Sequence, residues 1–295
     1  RRFSSGFTRT DTIQYADTLD QWVLGQPAKS TNNDTGIVES STAYDARALP
    51  QAQWSFGNLV QEFTYHTDGT AATVKDARGG TTSLSSWKFG IPQKIAFSDG
   101  TQKSLEVDDK GDIVALIDEN GSTTRYGYDV MGRVARIDYP AGDLTSWNAT
   151  IQTFEQIGGT EFGVGPGHWR KSVQQGSARK FTYYDALLRP IVVREFDATT
   201  EAQTTRFQRF AHDIEGRQIY ASYPSQTEVA NQGVSTGYDA LGRVTGVVSD
   251  SEIGDLVTLK EYLSGNRVRT VDPRGGITTV HSMAFDSPDY EQPVS

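Results

Sequence analysis

Residues 123–139 read TTRYGYDVMGRVARIDY, with alternating positions on either side of a short interruption. Thr124, Tyr126 and Tyr128 alternate with Arg125, Gly127 and Asp129; beyond the gap, Val134 and Arg136 alternate with Ala135, Ile137 and Tyr139. A period of two marks a half-buried strand, so the stretch predicts two strands. The interruption, Asp129-Val130-Met131-Gly132, has the chemistry of a tight turn. An Asp carboxylate at the first position can accept a main-chain N–H two residues on. Gly at the last position tolerates a positive φ that a Cβ would oppose. The whole stretch is a predicted β-hairpin.

The pattern then recurs. Tyr184-Asp185 is followed by Leu188 and Arg189-Pro190, His212-Asp213 by Gly216-Arg217, and Tyr238-Asp239 by Gly242-Arg243-Val244. YLSGNRV at 262–268 keeps Tyr262, Arg267 and Val268, with Leu263 in the Asp position and Asn266 in the Gly position. Asn is the next-best residue for a left-handed turn position. The intervals are regular: 28 residues from Asp185 to Asp213, 26 to Asp239 and 24 to Leu263, whereas Asp129 to Asp185 is 56, room for two units. Tyr128, Asp129, Gly132, Arg133 and their counterparts are thus candidates for a structural role, because a recurring motif marks a repeated unit rather than a catalytic centre. A second turn signal lies between them, Asp-x-x-Gly followed by Thr, in DARGGTT at 76–82, DENGSTT at 118–124 and DPRGGIT at 272–278, with DGT turns at 68–70 and 99–101. Asp-Gly and Asn-Gly are strong hairpin signals.

This divides the chain into degenerate or irregular β repeats over 1–59, where Tyr44-Asp45 occurs with no Gly-Arg behind it, and regular repeats over 60–140. An irregular insertion or degenerate repeat over 141–176 follows, then repeats over 177–285, and a tail over 286–295 that reads as cut within a longer chain. The start, RRFSSGFTRT, has an Arg pair but no apolar run behind it and reads as an equally arbitrary cut, not a signal peptide. The motif arginines, Arg133, Arg189, Arg217, Arg243 and Arg267, would stand in rows in stacked hairpins and pair with the Asp of a neighbouring unit.

Composition narrows the picture. Apolar residues make up 36% of the 295 and mean hydropathy is −0.51, which suits a thin, wet structure rather than a thick core. Thirteen Tyr, 13 Phe and 5 Trp still supply enough apolar area to fold. The formal charge of −9 opposes phosphate backbones, so nucleic acid is a poor partner. No cysteine is present, which removes disulfides, thiolate metal sites and Cys nucleophiles together. No apolar run approaches the ~20 residues of a membrane helix.

Asp118 through Val134 (DENGSTTRYGYDVMGRV) resembles the RHS/YD-repeat family almost position by position, with one extra residue before Thr124. Departures fall at Leu188, His212, Leu263 and Asn266, and over 145–176 and 1–59. The resemblance implies an all-β fold of tandem antiparallel β-hairpin repeats forming a curved, spiralling sheet, a segment of a shell. In bacterial insecticidal complexes and polymorphic toxins such a shell encloses a toxic C-terminal domain, and in teneurins a related barrel works in adhesion. The implied partners are further repeats and a C-terminal cargo domain of the same polypeptide, in a secreted or cell-surface bacterial protein. The family's self-cleaving region is not found. Asp272-Pro273-Arg274-Gly275 is similar to its Asp-Pro-x-Gly element, but Asp76 and Asp118 occupy the same slot in ordinary repeats, so it reads as a turn.

No catalytic, metal or cofactor site stands out. His66, His168, His212 and His281 form no spaced pair, VDDKGD at 107–112 lacks calcium-loop spacing, and GVGPGHWRKS at 163–172 lacks Walker spacing and reads as an exposed loop between repeats. No Gly-x-Ser-x-Gly or His-Glu-x-x-His occurs, so a hydrolase has little support. The alternative to a shell wall is an extracellular module that binds carbohydrate or another surface partner, with Trp147 and Trp169 as candidate glycan contacts.

Overall fold

The computed structural model describes residues 2–4, 7–142, 144–283 and 293–295. The fold is all-β and is built of tandem antiparallel hairpins; among the described residues helix is confined to a 3-10 turn at Leu19–Gln21 and one α-turn at Glu201–Thr204. Two compact units share the chain, Arg1–Gly127 with Tyr139–Trp147, and Tyr128–Asp138 with Asn148–Ser295. Within each, strands that follow one another in sequence pair antiparallel, as in Ile37–Tyr44 with Pro50–Ser55 and Ala178–Tyr184 with Pro190–Asp197. Most of the expected tail lies outside the described residues.

The predicted turn has one recurrent geometry. Asp129 N–H donates to Arg133 O (2.9 Å), Gly132 N–H donates to Asp129 O (3.0 Å), and Gly132 stands at φ 74°. This is a type I turn followed by a left-handed residue that forms a bulge. The same nested pair closes 185–189, 213–217 and 239–243, and equally 76–80, 108–112, 118–122 and 272–276. The two turn signals in the sequence are therefore one turn. What differs is the fifth residue, Arg in one set and a small or acidic residue in the other. In each, Oδ1 of the leading Asp accepts the N–H groups of the third and fifth residues, at 2.9 and 3.0 Å in Asp129 and at 2.8 Å for both in Asp76. The two DGT segments close the same way, led by His66 and Phe97.

The left-handed slot also accepts residues without glycine's freedom. Asn266, at φ 55°, follows a second left-handed residue, Gly265, in a turn of another kind, whereas Leu188 holds the slot at φ 59° and Ala48 at φ 62°. The last makes Tyr44–Leu49 a full member: Asp45 N–H donates to Leu49 O, and its carboxylate accepts from Arg47 and Leu49. Hairpins run through most of 11–55, including Asp11–Thr18 with Val23–Asn32.

The 56-residue interval is also accounted for. Thr150–Ile157 pairs with His168–Gln175, and the connection 158–167 stands where the next Tyr-Asp turn would be. It is not an exposed loop throughout. Phe162 and Val164 fold back onto Tyr183, Val192 and Phe207, leaving Val164 and Tyr183 buried, because these apolar side chains find a matching patch on the sheet face below. His168 opens a strand and is buried. This is the apolar core of the second unit. In the first, the buried apolar side chains among the described residues are small, Ala48, Ala52, Val107 and Ala115.

Candidate functional site

The turn places Asp and Arg four residues apart on one tight loop, so they meet. Arg133, Arg189, Arg217 and Arg243 each pair with the carboxylate of their own turn, Asp129, Asp185, Asp213 and Asp239, at 2.6–2.7 Å. This corrects the expected pairing with a neighbouring unit's Asp. Reach decides it: the Arg N–H is already bonded to that carboxylate, and the guanidinium closes on the remaining oxygen. All four carboxyls lie below the usual carboxylate range. For Asp129 the guanidinium is the leading cause, and for Asp239 the Arg243 main-chain N–H. Partial burial pushes Asp185 and Asp213 up, and the Arg hydrogen bonds outweigh it.

What crosses to the next unit is the rest of the guanidinium. Arg189 Nη1 donates to Asp213 O (2.8 Å), Arg217 Nη1 to Asp239 O (3.3 Å), and Arg47 Nη1 to His66 O (2.8 Å). Its flat face lies over the next aromatic ring: Arg217 is 5.0 Å from the centre of Tyr238, Arg243 4.1 Å from that of Tyr262, and Arg47 5.8 Å from that of Tyr65. The tyrosine answers in the opposite direction. Tyr65, Tyr238 and Tyr262 donate their hydroxyls to Pro50 O, Gln218 O and Val244 O, in each case the residue just after the turn of the preceding unit. Trp87 Nε1 does the same to Ala71 O. The motif is thus a two-way clamp between successive hairpins. Arg267 lies outside it and donates to Ser264 O within its own turn.

Arg133 has no Tyr-Asp turn beside it. Its guanidinium lies 4.8 Å from the centre of the Phe154 ring, which also stacks on Trp169 at 4.9 Å and 10° and meets Tyr184 at 5.8 Å. One face of Trp169 is therefore taken up by Phe154 and closed to a sugar. Trp147 belongs to the first unit and is 55% exposed. Tyr128 and Tyr184 end the strands leading into their turns, Thr123–Tyr128 and Ala178–Tyr184.

A second cluster escaped sequence reading. On one face of the sheet, Arg170, Phe181, Phe196, Arg194 and Phe207 form a run of cations and rings, with Arg170 5.4 Å from Phe181, Phe181 stacked on Phe196 at 5.9 Å, and Arg194 4.2 Å from Phe196. Phe162 of the returning loop adds a further ring 5.3 Å from Arg194. Glu161 of the same loop takes Arg170 at 2.7 Å, and His168 donates from Nδ1 to Gly165 O (2.8 Å), since a carbonyl only accepts. Tyr183 lies beneath, and burial pushes its hydroxyl up to about 12. The only sequence signal was the apolar pair Phe162 and Val164 inside a glycine-rich stretch. Among the described residues no group of three or more His, Cys, Asp or Glu is arranged to hold a metal, and no helix is long and apolar enough to cross a membrane.

A chain of hairpins, several of them clamped to the next through the Tyr-Asp turn, defines the class of protein: an antiparallel repeat whose motif residues connect successive hairpins. Residues 107–144 match the family model described as RHS Repeat, so the chain carries an RHS repeat at the stretch where the resemblance was read. A solved structure, TcdB2-TccC3-TEV, is similar over 87% of this chain with 14% identity and a TM-score of 0.58, and this likeness shows the fold. A Photorhabdus luminescens Tc holotoxin pore structure covers 88% of the chain at 12% identity and a TM-score of 0.41. The chain spans 15% and 14% of those two chains' lengths. No curated protein matches the sequence.

Proposed function

We propose that this chain is a wall segment of an RHS-type β-shell that encloses or displays another part of the same polypeptide, a C-terminal toxin or effector domain, in an exported bacterial protein. The observation that carries the reading is the clamp. Its Arg and Tyr side chains are spent on links between hairpins and its Asp on the turn that aims the Arg, which is the use a load-sharing wall makes of polar residues. The likeness to the TcdB2-TccC3 structure supports the same reading at the level of fold.

The test is limited proteolysis of the full-length polypeptide, compared with the isolated segment that follows this chain. Protection of that segment in the intact protein, lost when Arg189, Arg217 and Arg243 are replaced together by Ala, is the expected result. Digestion at the same rate in both settings would overturn the proposal.

A further inference from the structure

Two of the long connections in the second unit, 158–167 and 223–232, both come to Arg209. Its Nη2 donates to Phe162 O (2.9 Å) in the first and its Nε to Glu228 O in the second. The second connection is fastened next to it by paired main-chain bonds between Phe207 and Ser225, at 2.7 and 2.9 Å. Between the two connections is a cavity of about 420 Å³, with Val164, Ile191, Val192 and Val229 among its apolar walls and Arg209 and Asn231 among its polar ones. Volumes of this size are typical of small-ligand sites that are mostly apolar with a few fixed polar groups.

Charge supplies the chemistry. The other guanidiniums on this face, Arg170 and Arg194, are each paired with a carboxylate. Arg209 is not: among the described residues it meets only two main-chain carbonyls, which occupy two of its five N–H donors and leave its full charge uncompensated. An uncompensated guanidinium beside an apolar hollow is complementary to one kind of molecule, an anion with an apolar body. A planar carboxylate suits the fork of donors that remains.

We propose that this cavity is a binding site for a small amphiphilic carboxylate, with the carboxylate on the free donors of Arg209 and the apolar body against Val164, Ile191, Val192 and Val229. The proposal is independent of whether the chain is a shell wall.

The probe is phenylpropionate, measured by ligand-observed NMR on the whole chain against phenylpropanol and phenylpropylamine. The acid is expected to bind with a Kd on the order of 1 mM, in keeping with its few heavy atoms. The alcohol should bind about tenfold more weakly and the amine not at all. Asn231→Asp is the informative variant, because it is isosteric and puts a negative charge into the wall of the same cavity, opposing an anionic ligand. It should abolish acid binding while leaving the circular dichroism spectrum unchanged. Arg209→Gln should also abolish it, and if that variant loses its fold, Asn231→Asp alone decides. Equal binding of acid and alcohol, acid binding unaffected by Asn231→Asp, or no binding at tenfold the expected Kd would each overturn the site.

Discussion

Replacing Asp185 by Ala tests whether one carboxylate organises the repeat turn. Asp185 Oδ1 accepts the N–H groups of Leu187 and Arg189, both at 2.9 Å, and its Oδ2 takes the Arg189 guanidinium at 2.7 Å. Its side chain is 21% exposed, so the ion pair is partly screened and contributes about 0.2–1 kcal/mol. Side-chain bonds to otherwise unpaired main-chain donors cost about 0.5–2 kcal/mol when truncated. Asp185→Ala should therefore cost about 0.7–3 kcal/mol. Asp185→Asn keeps an acceptor for the two N–H groups and loses the ion pair, so it should cost less than about 1 kcal/mol. Repeat proteins open piecewise, so a global transition would blur the effect. Native-state hydrogen exchange at the Asp185 and Leu188 amides, which close the turn, reads it locally. The Ala variant should speed exchange there on the order of 3- to 100-fold. Equal effects of Ala and Asn would mean that the ion pair, not the acceptor geometry, holds the turn. An Ala effect below about 0.5 kcal/mol would refute the reasoning altogether.

Three further outcomes follow from the same geometry. Arg217→Ala should loosen the neighbouring turn at Asp239–Arg243, whose carbonyl and aromatic ring it holds, with faster exchange there and little change at 158–167; confinement of the effect to 213–217 would contradict the clamp. The turn carboxyls, including Asp129, Asp185, Asp213 and Asp239, all lie below their ordinary values when folded, so their contribution is complete above the unfolded carboxylate pKa of about 3.9 and is lost as pH falls through the folded values. A circular dichroism titration should show loss of structure below about pH 4, and a fold unchanged at pH 2 would count against the sign. Tyr183→Ala removes a ring that is 1% exposed beneath the returning loop and should cost about 3–5 kcal/mol by denaturant titration, with protease cutting appearing first in 158–167.

The turn was legible because its information is local. Asp, two free residues, Gly and Arg carry everything a five-residue loop needs, and Asn266 was readable as a left-handed substitute for the same reason. Ala48 and Leu188 were not readable in that slot, since neither favours positive φ and only the flanking strands and the Asp carboxylate hold them there. That Asp76 and Asp129 lead the same turn was hidden by the differing fifth residue. The clamp was half legible. A row of arginines follows from the repeat, but whether each meets a side chain or a main-chain carbonyl depends on strand offset, which no short motif records. The arginine–aromatic face was invisible for a plainer reason: Phe162, Phe181, Phe196 and Phe207 belong to a loop and three strands, and only their pairing brings the rings together.

The clamp's acceptors have a consequence for how such a chain can change. Arg47, Arg189 and Arg217 donate to the main-chain oxygens of His66, Asp213 and Asp239, and the tyrosines to those of Pro50, Gln218 and Val244. A carbonyl is offered by every amino acid, so the residue on the receiving side needs no matching side chain. These hydrogen bonds grip the neighbouring hairpin without reading its identity, and the stacked rings of Tyr65, Tyr238 and Tyr262 are the side chains the contact does require. Substitutions can accumulate on the receiving strand one at a time, with no compensating change across the contact. A hairpin could also be duplicated, deleted or exchanged and still find a handhold, which makes such an array open to lengthening by recombination.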